Sequence, residues 1–277
     1  MKLSLVTVHT NDKLILDTIA SVYKTVKTPF EYIIVDNNVN QVQFKNIREQ
    51  YPQIKILQNP KNYGYARAMN VGLRHAAGDF VLALNPDVLL FENTIDEMVG
   101  CMEKHNDTVV LGPKLLNADG SLQYSCRRFP KFSILLLRRG LAKGKVTKQM
   151  KSYEMRDWDH ESVKEVDWLC GGFLLVRREL FAKIGYMDEF YFLYFDDVDF
   201  CRRAHKEGKV VYFPTVHAIH SASYESKTKL VPFMIHIQSM LYYYFKFMFF
   251  PNKWLVKGYG WMSVSQMHLR ERKNHNP

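Results

Sequence analysis

Asp196, Asp197 and Asp199 put three carboxylates within four positions. Like charges this close repel, so at least one should have a raised pKa or a compensating cation. A carboxylate set beside a hydroxyl can act as a general base, and the flanking Phe190, Tyr191, Phe192, Tyr194 and Phe195 suggest a lined cleft. The run suits an acidic helix N-terminus equally well, because the macrodipole favours negative charge there. Asn85-Pro86-Asp87 is the second candidate. A carboxylate at the edge of a sheet can hold Mg²⁺ or Mn²⁺, with diphosphate oxygens as further ligands. Asn, Pro and Asp are also ordinary turn residues, and the tripeptide alone favours the turn. His217 and His220 follow a short apolar run, and one of them could complete a metal shell or contact diphosphate. No matching Cys or His pair supports zinc, and a lone histidine is usually a plain surface or core residue.

Helix and strand patterns alternate through the first hundred residues. The spacing predicts strands at Leu3–Val8, Tyr32–Val35, Ile54–Leu57 and Phe80–Leu84, and helices at Asp12–Tyr23, Phe44–Tyr51 and Tyr65–Ala77. Helices between short apolar strands imply right-handed crossovers and a mostly parallel sheet, an α/β fold. Three strands end in polar groups: His9-Thr10-Asn11, Asp36-Asn37-Asn38 and Asn85-Pro86-Asp87. Ligands of open α/β sheets bind outside the carboxyl ends of the strands, so these ends should converge on one crevice of nucleotide-site geometry. Asn62 through Asn70 opens a helix, where Gly64 would let the backbone approach a ligand and the helix N-terminus would attract phosphate. Its glycine spacing fits neither a P-loop nor a dinucleotide fingerprint. Farther on, Asp167–Val176 reads as a strand, Arg178–Ile184 and Val198–Glu207 as helices, and Val210–Pro214 as a strand. The basic stretch Arg138–Lys151 reads as a mobile loop.

With 277 residues, 47% of them hydrophobic, the chain can bury a full core. The formal net charge of +10 favours polyanionic partners without distinguishing nucleotides, nucleic acid or an anionic membrane. The four cysteines, Cys101, Cys126, Cys170 and Cys201, form no CxxC pair and read as free thiols. The sequence holds no uninterrupted run of about 20 apolar residues that could span a bilayer. Pro232–Trp261 instead mixes many aromatics with Lys246, Lys253 and Lys257, a pattern suited to a membrane interface or to a core-packing helix with a lysine face.

The order of these motifs resembles family 2 glycosyltransferases of the GT-A fold, and within them the rhamnosyltransferase-like branch of bacterial surface-polysaccharide assembly. The resemblance covers about Leu3 to His220. It rests on Val35-Asp36-Asn37-Asn38, Asn62 through Asn70, Asn85-Pro86-Asp87, Trp168 through Gly172 with Arg177-Arg178, Asp188 through Phe192, Asp196 through Asp199 with Arg203, and Pro214 through His220. It implies a catalytic domain over 1–225, with a donor half at about 1–115 and an acceptor and base half at about 116–225. A helical, membrane-associating segment would follow at 226–277.

The resemblance also implies roles. Thr7, His9, Asp36, Asn38, Asn62, Gly64, Asn70, Asn85 and Asp87 would form the donor site. Asp87 and His220 would bind Mg²⁺ or Mn²⁺, with Asn85 in place of the first Asp of an Asp-X-Asp motif. Asp197 would be the base, with Asp196 beside it where Glu is usual. Trp168, Gly171, Gly172, Asp199 and Arg203 would border the acceptor and sugar. The implied reaction moves a sugar, with inversion, from dTDP-rhamnose or a UDP-sugar to a lipid-linked saccharide. The enzyme would be cytoplasmic and peripheral to the inner face of the cell membrane, with no nucleic-acid partner and a homo-oligomer left open. Three other readings compete: a nucleotidyltransferase, which would need a Gly-, Lys- or Arg-rich phosphate loop that His9–Lys13 do not supply; a non-catalytic, membrane-associated nucleotide-sugar-binding protein; and a single-strand nucleic-acid binder, for which no recognition motif is present.

Overall fold

The computed structural model describes residues 1–10, 12–37, 41–131, 148–221, 230–249, 254–256 and 260–262. Strands β1 (Leu3–His9), β2 (Phe30–Asp36), β3 (Lys55–Gln58) and β4 (Phe80–Leu84) alternate with helices α1 (Ile15–Thr25), α2 (Gln41–Gln50) and α3 (Tyr65–His75). All four strands run parallel, in the order β3-β2-β1-β4. Successive side chains of a strand point to opposite faces. Leu3 and Leu5 therefore join Ile15, Ile19 and Val22 of α1 in one core, while Val6 and Val8 join Met69 and Leu73 of α3 in the other. Apolar residues on both strand faces give a sheet covered by helices on both sides.

Beyond β4 the sheet becomes mixed. β5 (Val88–Leu90), α4 (Thr94–Lys104) and β6 (Thr108–Leu116) follow, then the short strands β7 (Leu122–Gln123) and β8 (Cys126–Arg127) and helix α5 (Lys148–Tyr153). β9 (Lys164–Glu165), β10 (Trp168–Leu169), β11 (Phe173–Arg177), α6 (Arg178–Ile184), α7 (Asp196–Ala204) and β12 (Lys209–His220) complete the α/β unit. β11 inserts antiparallel between β4 and β6, and β12 runs parallel to β6 and antiparallel to β5.

Several expectations change here. The strand expected at 167–176 is broken into β10 and β11 by a turn at Cys170-Gly171-Gly172. The strand expected to stop at Pro214 continues to His220 through a register shift between Phe213 and His217, which carries it past the proline. The acidic run does not precede its helix but forms the first turn of α7. Within the expected mobile stretch, residues 148–151 belong to α5, and 132–147 lie outside the described residues.

Helix α8 (Leu230–Phe249) packs on the α/β unit, its Met240, Tyr242 and Tyr243 belonging to the same core as α3 and α7. The segment after it is not wholly helical: β13 (Trp254–Val256) pairs antiparallel with β14 (Gly260–Met262).

Candidate active site

β1 and β2 end in register at His9 and Asp36, both fully buried. The next residue, Asn37, organises the crevice. Its N–H donates to the His9 carbonyl at 2.9 Å. Its side-chain amide donates to Asn62 Oδ1 and accepts from Asn59 Nδ2 and the Tyr63 N–H, each at 3.0 Å. Asn62 Oδ1 also accepts the Gly64 N–H at 2.8 Å. A buried side chain must be both donor and acceptor to satisfy this loop, and an amide is. Asn37 was not among the expected site residues. Its place directly after a buried strand is the sequence signal that marks it. Asn38 lies outside the described residues.

Three expected donor residues have other surroundings. Thr7 sits inside the core, its hydroxyl 3.0 Å from that of Tyr32. Asn70 is buried and clasps Met187, donating to its carbonyl at 2.8 Å and accepting its N–H at 3.0 Å. Gly64 does bring the backbone close to something, but to the chain's own Phe192. Its φ is +83°, a side chain added there would meet the Phe192 carbonyl oxygen at 2.5 Å, and the Tyr65 N–H donates to that oxygen at 2.7 Å. Gly64→Ala is expected to destabilise the protein by roughly 1–2 kcal/mol from the left-handed backbone alone, with the Phe192 clash in addition. Thermal unfolding of the variant checks this; an unchanged midpoint would count against the close approach.

The Gly171-Gly172 turn joins the two acidic motifs. On one side the Gly171 N–H donates to Asp197 Oδ2 at 2.9 Å. On the other, the Gly172 carbonyl accepts the Asn85 N–H at 2.9 Å, and a side chain at Gly172 would strike the His220 ring at 2.8 Å. Tyr65, from the first turn of α3, donates its hydroxyl to the Gly171 carbonyl at 3.2 Å. Burial raises the Tyr65 hydroxyl well above the usual tyrosine range, with Asp196, Asp197 and Asp87 adding to the shift. All three carboxylates thus work against ionisation of this one phenol. Tyr65 and Gln123 were missed as site residues, because only the tertiary fold brings them here.

The two neighbouring aspartates differ. Asp196 is 4% exposed, and burial followed by the adjacent Asp197 charge pushes its carboxyl well above the usual carboxylate range. Asp197 is half-buried, and burial raises it too, but the Gly171 and Val198 N–H groups and the positive charge of Arg127 oppose the rise. Arg127 is thus a further cation at the site. It lies over the ring of Trp168, which is buried and donates its indole N–H to the Arg128 carbonyl at 2.9 Å. Tyr194 and Phe195 enter α7 with φ of +68° and +65°. Such non-glycine residues cost of order 1–3 kcal/mol each and cluster where a function fixes the chain.

Asp199 and Arg203, expected beside the acceptor or sugar, lie instead in a sealed ion cluster behind α7. Arg203 Nε meets Asp199 Oδ2 at 2.7 Å, and Lys246 of α8 bridges Asp199 Oδ1 and Asp188 Oδ2. The side chains of Lys246, Asp188 and Asp199 are wholly buried. Burial works against ionised Asp199, yet Lys246 and Arg203 outweigh it and lower its pKa. For Asp188 burial outweighs Lys246, and the pKa rises. The cluster fixes α7 from behind. It has no surface to offer a substrate.

At the opposite end of the turn, His220 Nδ1 lies 2.8 Å from Gln123 Oε1. The Gln123 amide N–H₂ is committed to the His220 and Asn117 carbonyl oxygens, so Oε1 accepts and Nδ1 carries the proton. The His220 Nε2 lone pair then points at Asn85 and Asp87, 3.3 Å from Asn85 Nδ2 and 3.4 Å from Asp87 Oδ1. Asn85 Oδ1 and Asp87 Oδ1 are buried with no hydrogen-bond partner among the described residues. Two orphaned oxygens and an oriented imidazole are what a divalent cation would satisfy, and a carbonyl-type partner on the far ring nitrogen is the usual support for a metal-bound histidine. These residues fit a metal. His217 is exposed on the other side of β12, its ring tilted against that of Phe91, and takes no part.

The comparisons agree with this architecture. The model of glycosyl transferase family 2 matches residues 4–185, well over half of the chain. The chain is 28% identical over 229 residues to the N-acetylglucosaminyl-diphospho-decaprenol L-rhamnosyltransferase of Mycobacterium tuberculosis, covering 75% of this chain and 72% of that protein. It is 28% identical over 207 residues to the rhamnosyltransferase WbbL of Escherichia coli, covering 71% and 75%. Among solved structures, GalNAc-T7 with UDP, GalNAc and Mn²⁺ superposes with a TM-score of 0.59 at 16% identity, over 79% of this chain and 43% of that one. The Pyrobaculum calidifontis mannosyltransferase with GDP-Man and Mn²⁺ gives 0.55 at 17%, over 80% and 57%. This chain therefore spans about half the length of those two structures, and the likeness fixes the GT-A fold. The nucleotidyltransferase and nucleic-acid readings give way to a transferase of sugars, and the chain belongs to glycosyl transferase family 2.

Proposed function

We propose that this glycosyltransferase moves a sugar from a nucleoside-diphosphate donor to a hydroxyl of a lipid-linked saccharide, inverting the anomeric centre. The observation that carries the proposal is the Gly171-Gly172 turn, which holds Asp197 on one side and the Asn85, Asp87 and His220 group on the other. Asp197 is the base. It is half-buried, its second oxygen is oriented by the Gly171 N–H, and its charge is tempered by Arg127. Asp196 is the poorer candidate, because it is only 4% exposed to an incoming hydroxyl, and burial together with the Asp197 charge disfavours its ionised form.

As the acceptor hydroxyl attacks the anomeric carbon from the face opposite the leaving diphosphate, Asp197 takes its proton. The carbon–oxygen bond to the diphosphate breaks in the same displacement, so no covalent enzyme intermediate is needed. Asp87 and His220, with Asn85, would hold Mg²⁺ or Mn²⁺. When bound, such an ion neutralises charge on the diphosphate. His9, Asp36 and the loop pinned by Asn37 lie at the carboxyl ends of β1 and β2, where the nucleoside of the donor would sit.

The relatives named above support rhamnose as the transferred sugar, and the first of them supports a polyprenyl-diphosphate-linked saccharide as the acceptor; the donor would then be dTDP-rhamnose, with a UDP-sugar as the alternative. The enzyme would meet such an acceptor at the inner face of the cell membrane. Screening nucleotide sugars with Mg²⁺ and Mn²⁺ for transfer, hydrolysis and thermal stabilisation tests the reading. Stabilisation by no nucleoside diphosphate would overturn it. Asp87→Ala is expected to weaken metal-dependent binding of the nucleoside diphosphate by about tenfold or more, in the range seen when metal-site residues are lost. Calorimetric titration with Mn²⁺, and again with a chelator, measures it. Equal affinities of variant and parent in Mn²⁺ would remove Asp87 from the metal site.

A further inference from the structure

Helix α8 is amphipathic in the reverse sense. Its one charged residue, Lys246, points inward and is fully buried, while Ser239 donates to the Leu193 carbonyl at 2.9 Å and Tyr242 donates to Asp188 at 2.8 Å. Its outward side carries Leu230, Val231, Met234, Leu241, Phe245 and Met248, each between 47% and 75% exposed. Positions 234, 241, 245 and 248 share one helical stripe. At 1.5 Å per residue the stripe runs roughly 20 Å, and no charged side chain interrupts it. An exposed apolar strip of this extent marks an interaction surface.

Two observations choose the occupant. No helix among the described residues is long and apolar enough to cross a membrane, so α8 cannot be a span. The chain that continues from it, 250–277, carries Lys253, Lys257, Arg270, Arg272 and Lys273 against Glu271 alone, in a protein of net charge +10. An apolar helical face followed in sequence by a concentration of cations is complementary to an anionic bilayer surface.

The same helix backs the catalytic segment. The His236 ring lies 5.2 Å from that of Tyr194 and 5.3 Å from that of Phe195, the two left-handed residues that lead into Asp196 and Asp197. We propose that the outward face of α8 docks on anionic phospholipid membrane and, through its contacts with residues 190–199, sets the base-bearing side of the site against the bilayer where a lipid-linked acceptor would lie. The docking surface stands on the helix itself, whereas its purpose rests on the acceptor proposed above.

Flotation of the full chain with phosphatidylglycerol–phosphatidylcholine vesicles tests the surface, with phosphatidylcholine alone as control. The triple variant Leu241→Ser, Phe245→Ser, Met248→Ser changes only exposed positions, and its melting temperature shows that it folds. The parent should float with the anionic vesicles, and the variant should lose at least tenfold in bound fraction while binding nucleoside diphosphate and Mn²⁺ as the parent does. Equal flotation of the folded variant would overturn the proposal. So would a parent that does not float but sediments as a dimer that the variant dissociates, since the face would then join two copies. Flotation lost with the variant in a protein that binds no nucleoside diphosphate would keep the surface and sink the proposed function instead.

Discussion

Asp197→Asn should lower the turnover number roughly 10²- to 10⁴-fold, the usual contribution of a positioned general base. Donor affinity should hardly change, because Asp197 contacts Gly171 and faces Arg127, while the orphaned oxygens belong to Asn85 and Asp87. Asp196→Asn is the control. Its carboxyl is almost wholly enclosed, and burial and the Asp197 charge both work against its ionised form, so its turnover should fall far less. The pH profile gives a further check. Burial raises Asp197, so the rate should fall as pH drops through a value above the ordinary aspartate pKa of about 3.9. Single-turnover transfer assays across pH separate chemistry from binding. Wild-type turnover in Asp197→Asn, or an equal loss in both variants, would reassign the base.

Lys246→Met should be the most destabilising substitution away from the crevice. It leaves Asp188 and Asp199 facing each other with Arg203 as their one strong counter-charge in the cluster. Breaking a buried pair by removing one partner costs roughly 3–5 kcal/mol, because the charge left behind is neither solvated nor matched. Adding Asp188→Asn should recover much of that loss, since the remaining Asp199–Arg203 pair is neutral. The sign with pH follows from Asp199. Its folded-state pKa is lowered, so the stability it contributes is present above its unfolded pKa and is lost as pH falls through the folded value. Denaturant unfolding of parent, single and double variants measures this. A Lys246→Met protein as stable as the parent would mean that the cluster does not clamp α8 to α7.

Much of the donor half was legible in the sequence because local rules governed it. β4 falls at Phe80–Leu84 as its apolar run predicts, α3 begins at Tyr65, and α6 ends at Gly185 with φ of +77°. Each follows from periodicity and helix-end chemistry within a few residues of chain. The acceptor half was less legible because its elements are defined by partners far away in sequence. β11 is a strand because it pairs with both β4 and β6, and β12 runs past Pro214 because β6 and β5 supply its hydrogen bonds.

The acidic residues divide along the same line. Residue types and order alone established a strand-end acidic group, an acidic run and the likeness to a family. They did not separate three aspartates lying within one helical turn. Asp196, Asp197 and Asp199 differ only in where α7 points them: into a desolvated corner beside Asp197, towards the Gly171 N–H, and back onto Lys246 and Arg203. An aspartate's chemistry depends on the solvent it has lost and the charges it faces. Both come from residues up to 47 positions away in the chain, so only the folded structure could assign them.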